Sequence, residues 1–121
     1  MSDQNRADII RNLFAAFMTK NREVAEDLLS GDFTFTSPYD DTIDRAAYFE
    51  RCWSNSERIK ELAIETIFIE GDAAFVTYLC NVGGGKQFRN TEFFRFDAGE
   101  IASVDVYFGA SYQDGVFVKQ T

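Results

Sequence analysis

The sequence predicts an α+β fold in which one strongly curved, mostly antiparallel sheet wraps over three N-terminal helices. Helical periodicity is confined to the first half of the chain, and from Ile59 onward apolar and polar residues alternate at a period of two. The stretch from Phe88 to Gly109 also reads as two long strands around the turn Asp97-Ala98-Gly99-Glu100, and the other strands are arranged about this hairpin.

Ile9, Ile10, Leu13, Phe14 and Phe17 recur at helical spacing behind Ser2 or Asp3, so residues 3 to 20 should form an amphipathic helix. Val24, Ala25, Leu28 and Leu29 repeat the pattern between Asn21, a natural N-cap, and Gly31, a natural stop. Phe33-Thr34-Phe35-Thr36 alternates as a strand, then meets the only proline in Ser37-Pro38-Tyr39-Asp40-Asp41, where a loop is expected. Asp44 caps a third helix over residues 45 to 55 that carries Tyr48, Phe49, Cys52 and Trp53. A strand through Ile69, a Gly71-Asp72 turn, a strand from Ala73 to Val82 and a Gly83-Gly84-Gly85 turn lead into the hairpin. Residues 110 to 121 form either a short edge strand through Gly115-Val116-Phe117-Val118 or a loose tail, and residues 1 to 121 make one domain.

Composition narrows the chemistry. With 121 residues, 45% of them hydrophobic and 13 of them phenylalanine, the chain can build a core with aromatic walls that could enclose an apolar ligand. A net charge of -8 without a basic run argues against nucleic acid and anionic membrane partners. No apolar run approaches the ~18 residues of a membrane span, and no signal peptide is evident, so a cytoplasmic location is expected. Cys52 and Cys80 lack metal-site or redox spacing and read as buried thiols. The absence of histidine removes histidine-based nucleophilic catalysis and imidazole metal sites. Acid-base chemistry would rest on carboxylates, tyrosines, lysines or water, with no metal or cofactor implied.

Strand pairing assigns the faces. Counting outward from Phe96 opposite Ile101 sets Glu92 opposite Asp105 and Asn90 opposite Tyr107. The other face then carries Thr66, Thr77, Thr91 and Val106 in one row, Phe68, Phe75, Phe93 and Val104 in a second, and Ile64, Leu79, Arg89 and Phe108 in a third. Being mostly apolar with a few hydroxyls and one guanidinium, it is expected to line a small-molecule pocket. Glu92 and Asp105 allow two readings. As neighbours ~5 Å apart in a pocket they would share a proton, and as hydrated carboxylates on the outer face they would not. The second is preferred here.

The helix pair with Phe14 and Phe17, the run from Gly31 to Pro38, the acidic stretch before the third helix, Phe94-Arg95-Phe96-Asp97-Ala98-Gly99-Glu100-Ile101 and Val106-Tyr107-Phe108-Gly109 together resemble the SnoaL-like branch of the nuclear-transport-factor-two-like superfamily. The resemblance covers nearly all of residues 5 to 109. It implies a cone whose concave sheet face and helices enclose a pocket, and a convex face that makes a homodimer. The superfamily includes ketosteroid isomerase, polyketide cyclases, limonene epoxide hydrolase and several non-enzymes. Aligned through Tyr107-Phe108-Gly109, the acid that relatives carry on the final strand falls on Val106, which weakens cyclase-like and epoxide-hydrolase-like readings. Asp40 and Asp41 occupy the loop where ketosteroid-isomerase-like relatives carry a catalytic aspartate.

The candidate catalytic residues are therefore Asp40 and Asp41 as bases, with Arg89 binding a ligand oxygen; Tyr39, Tyr48 or Thr91 would donate to a developing oxyanion. Alternatively, the aspartates serve the turn and Arg89 pairs with Asp40, Asp41 or Glu50. Phe14, Phe17, Phe35, Trp53, Phe75, Thr77, Leu79, Phe93, Val106 and Phe108 complete the expected pocket wall. The expected function is cofactor-independent isomerisation or a cyclase-like reaction on a small, partly apolar carbonyl compound. The alternative is a non-catalytic ligand-binding or protein-association domain.

Overall fold

Side chains at the helix ends explain where the helices begin. In the computed structural model, which describes residues 2–119, Ser2 Oγ accepts from Asn5 N–H and starts α1, Asp3–Thr19. Asn21 accepts from Val24 N–H and starts α2, Arg22–Leu28. Asp44 accepts from Ala47 N–H at 2.9 Å and starts α3, Arg45–Arg51. The third helix is shorter than its periodicity predicts. Past Cys52 the backbone tightens, Asn55 N–H bonding to Cys52 C=O, and residues Trp53–Arg58 form a 3-10 helix. No helix among the described residues is long and apolar enough to cross a membrane.

The strands are β1 Leu29–Ser37, β2 Asp40–Asp44, β3 Glu61–Glu70, β4 Ala73–Gly83, β5 Lys86–Asp97, β6 Glu100–Gln113 and β7 Val116–Val118. They form one sheet in the order β2-β1-β6-β5-β4-β3, with β7 paired to β6. The expectation of a cone with a strongly curved sheet is corrected here: the sheet is open, and it is mixed, mostly antiparallel as expected but with one parallel pairing. Its path ends at β2 and β3, which do not pair, and β1 lies parallel to β6 through Thr34 opposite Ser103 and Thr36 opposite Asp105. The loop expected after Pro38 is a two-residue turn instead, because Ser37 pairs with Asp40 and the chain returns as β2.

The β4–β5 ladder follows the pairing read from sequence, including Phe75 opposite Phe93, and β3 follows it from Phe68 opposite Phe75 to Thr66 opposite Thr77; there Glu65 is an extra residue, so Ile64 faces Tyr78 rather than Leu79. β6 does not. Phe96 still faces Ile101, but Arg95 faces Ser103, so Ala102 is an extra residue that bulges from the ladder. Beyond it Glu92 faces Val106, and Phe93 faces Asp105. A second bulge lies at Gly109 and Ala110, between the pairs Asn90–Phe108 and Phe88–Ser111. There a Cβ on Gly109 would collide with the Arg89 carbonyl oxygen, so glycine is what lets β5 and β6 approach.

Ile10, Leu13 and Phe14 of α1 pack on the sheet face made by Ala74, Val76, Tyr78, Phe94, Ile101 and Val104, all buried. The Phe14 ring stands edge-on to Tyr78, centroids 4.9 Å apart. Because side chains alternate along a strand, Phe75, Thr77, Leu79, Arg89, Thr91 and Phe93 project from the other face.

Candidate functional site

Between α1, α3 and the helix-covered sheet face lies a cavity of about 600 Å³. Its wall is mostly apolar, and its polar groups enter at fixed strand positions. Glu92 and Asn90 come from β5 and Tyr78 from β4, two residues and one strand apart, which aims all three toward α1. The Tyr78 hydroxyl donates to Glu92 Oε2 at 2.5 Å, and Asn90 Nδ2 donates to Tyr78 Oη at 3.2 Å. The three form a short chain that ends on a carboxyl group open only to the cavity.

Glu92 is covered by protein except where it meets that cavity, and the lost hydration pushes its pKa up to about 7. The hydrogen bond from Tyr78 pulls the other way and loses. The group can therefore hold or release a proton near neutral pH. Burial, then the charge of Glu92, raises the Tyr78 pKa far above that of an ordinary phenol, so Tyr78 remains a donor. Tyr48 of α3 is likewise raised, by burial first and Glu92 second. It is held among Phe17, Phe33, Phe35 and Phe49, and its hydroxyl has no hydrogen-bond partner among the described residues. Tyr48 thus offers an unused donor to whatever fills the cavity.

The sequence-predicted residues divide between the two faces. Phe14, Phe17, Phe35, Tyr39, Asp40, Tyr48, Val106 and Phe108 line the cavity. Trp53 stands behind the wall against Phe17, centroids 4.8 Å apart. Phe75, Thr77, Leu79, Arg89, Thr91 and Phe93 are on the outer face, the reverse of the expected placement, because the Ala102 bulge transfers Val104 and Val106 to the Glu92 face. Arg89 there binds Glu65 through two nitrogens, at 2.7 and 3.1 Å, and donates to the Tyr112 hydroxyl. Its partner is none of the three acids named as alternatives. Asp41 is exposed and accepts from the Thr42 hydroxyl, whereas Asp40 sits at the cavity margin 3.6 Å from Arg51 and accepts from Ser37 Oγ at 3.4 Å. Glu92 and Asp105 lie on opposite faces and cannot form a dyad.

Sequence reasoning did not place Tyr78 and Asn90 in the pocket, and placed Glu92 there only in the reading it did not prefer. A signal was present: Asn90 and Glu92 share a period of two with Phe88, Phe94 and Phe96, the pattern of polar groups set into an apolar face. Burial raises Cys80 to about 11, with the charge of Glu92 adding to it, and Cys52 also to about 11, with Asp40 adding to it. Both are free cysteines, and as protonated thiols they are poor nucleophiles. Among the described residues no group of three or more acidic or cysteine side chains could hold a metal ion.

A family model described as the SnoaL-like domain matches residues 10–104, more than half of the chain. The chain belongs to the SnoaL-like family. Solved structures share the fold of this SnoaL-like domain. An NTF2-like protein of unknown function from Cytophaga hutchinsonii matches with TM-score 0.71 and 25% identity, over 90% of this chain and 93% of that one. A candidate ketosteroid isomerase from Kribbella flavida matches with TM-score 0.74 and 20% identity, over 93% of this chain and 82% of that one. An LEH-like epoxide hydrolase of M. tuberculosis matches with TM-score 0.69 and 20% identity, over 88% and 84%. The latter two likenesses speak to the fold of the SnoaL-like domain. Comparison with curated proteins returns no match.

Proposed function

We propose that this SnoaL-like domain binds a small, partly apolar carbonyl compound and moves a proton on it without a cofactor, as an isomerase or cyclase would. The observation that carries the reading is Glu92, a carboxyl group poised near neutrality in an apolar cavity and oriented by Tyr78. In its ionised form Glu92 takes a proton from the carbon next to the carbonyl. The Tyr48 hydroxyl donates to the enolate oxygen, and Glu92 returns the proton to another carbon. Asp40 is a secondary candidate at the margin, with Arg51 and Ser37 already on its carboxylate. Soaking the protein with a panel of small aryl ketones in D2O and reading deuterium uptake by mass spectrometry tests this. Uptake beside the carbonyl, faster than with buffer alone, is the expected result. Ligand binding without uptake would instead favour a non-catalytic binding domain, a reading consistent with Tyr78 already occupying one oxygen of Glu92.

We also propose that the outer sheet face meets a second copy of the chain. Phe68 is 73% exposed and Tyr107 56%, and Phe75 stacks on Phe93 with centroids 4.6 Å apart, a large apolar area for a solvated face. Light scattering is expected to give a dimer for the wild type and a monomer for Phe68→Glu/Phe75→Glu; a monomeric wild type would refute it. Two free thiols fit a reducing, cytoplasmic setting.

A further inference from the structure

Among the described residues three charged side chains face the cavity, and two of them already have partners. Asp40 has Arg51, Ser37 and Cys52, and Glu92 has Tyr78. Among the described residues the third, Arg58, is the one basic residue of the lining, and its guanidinium makes no ion pair or hydrogen bond with any of them. An unpaired arginine facing a mostly apolar cavity is unexpected in a chain with 20 acidic residues and 12 basic ones.

The backbone around Arg58 is fixed. Ser56, 1% exposed, anchors the 3-10 helix that Arg58 ends, Ile59 N–H bonds to Ser56 C=O, and Lys60 N–H bonds to Asn81 C=O at 2.8 Å. Arg58 thus stands at the end of β4, beside Asn55, with its side chain exposed at the rim. Asn81 pairs with Gln87 on β5, five residues before Glu92. At ~3.3 Å per residue that is ~16 Å of strand, shortened to on the order of 10 Å by an arginine leaning inward. Ile59, Leu62, Val82 and Phe88 line the intervening stretch.

A ligand that satisfies both ends is elongated and apolar in the middle. One charge at the rim suits a carboxylate, whose two oxygens match the planar guanidinium fork. A dianionic phosphate would call for more cations than this site offers. The net charge of -8 does not prevent anion entry, because salt screens distant charges within ~8 Å and leaves the local cation to decide. We propose that Arg58 binds the carboxylate of an elongated, largely apolar carboxylic acid whose carbonyl end reaches Glu92 and Tyr48. The Glu92 end of this assignment rests on the acid-base reading above; the Arg58 end does not.

Calorimetric titration of the full chain with benzoylpropionate and with its neutral amide tests the assignment. The wild type is expected to bind the carboxylate roughly tenfold more tightly than the amide. Arg58→Gln should lose that preference while keeping its affinity for the amide, and Arg58→Lys should keep part of the preference. A circular dichroism spectrum establishes that each variant is folded. Equal binding of the two probes by the wild type, an undiminished preference in folded Arg58→Gln, or no binding of either probe overturns the proposal. The same titration in Glu92→Gln separates the two ideas. A preference that survives there, together with deuterium uptake that Glu92→Gln does not change, would sink the acid-base reading and leave the anion site standing.

Discussion

Glu92→Gln is expected to abolish deuterium uptake and to yield a protein more stable than the wild type above neutral pH. Loss of a positioned general base costs about a hundredfold or more in rate, and glutamine keeps the size and the acceptor oxygen for Tyr78. The stability effect follows from the raised pKa. Glu92 titrates near 7 in the fold against an ordinary value of 4.5, so the folded chain holds more protons than the unfolded chain between these pH values. The contribution of the neutral carboxyl is fully present below 4.5, declines as pH rises toward 7 and is gone above it. The decline amounts to ~3 kcal/mol. Glutamine cannot ionise, so Glu92→Gln should lack this decline. Urea unfolding of both proteins across the range reads the difference directly. Parallel pH profiles would mean that Glu92 is not desolvated as described, and unchanged deuterium uptake would mean that it is not the base.

Deletion of Ala102 is expected to prevent folding. The residue contributes little by packing, but as the extra position in the β5–β6 ladder it sets which way every later β6 side chain points. Without it, and with Phe96 still opposite Ile101, Val104 and Val106 would turn to the outer face and Asp105 would turn into the core. Exposing two buried valines costs roughly 3 to 6 kcal/mol, and burying an unpaired carboxylate costs several more. That is comparable to the whole stability of a domain this size. Ala102→Gly, which keeps the residue count, should fold. Far-UV circular dichroism and solubility compare the two; a folded, cooperative deletion protein would show that the turn can shift to restore the inward placement of Val104 and Val106 without the bulge.

That same alanine marks where the sequence stopped being readable. Caps at Ser2, Asn21 and Asp44, apolar spacing in α1, and the Gly71-Asp72 and Ala98-Gly99 turns are local signals, and the helices and the β3 to β6 meander were legible from them. The bulge has no local signature. Ala102 is an ordinary strand residue in an alternating run, and it is extra only with respect to a partner strand. Counting through it placed Val104 and Val106 beside Phe93 and Thr91, which made that face look like the apolar one. Similarly, the parallel pairing of β1 with β6 is a contact between distant segments and left no trace in either. The aromatic residues on the helices, Phe14, Phe17 and Tyr48, were found because their positions depend on helical period alone.

The parallel pairing of β1 with β6 also bears on folding kinetics. It joins Leu29 to Ile101 across most of the chain, whereas each step of the meander joins neighbours through a short turn. Closing so long a loop is entropically costly, so this join should be scarcely developed in the transition state. The cavity has Phe35, Tyr39 and Tyr48 on one side of that join and Glu92 on the other, and so takes shape only once the join is made. A bound ligand should accordingly lengthen the lifetime of the native state while leaving the refolding rate almost unchanged.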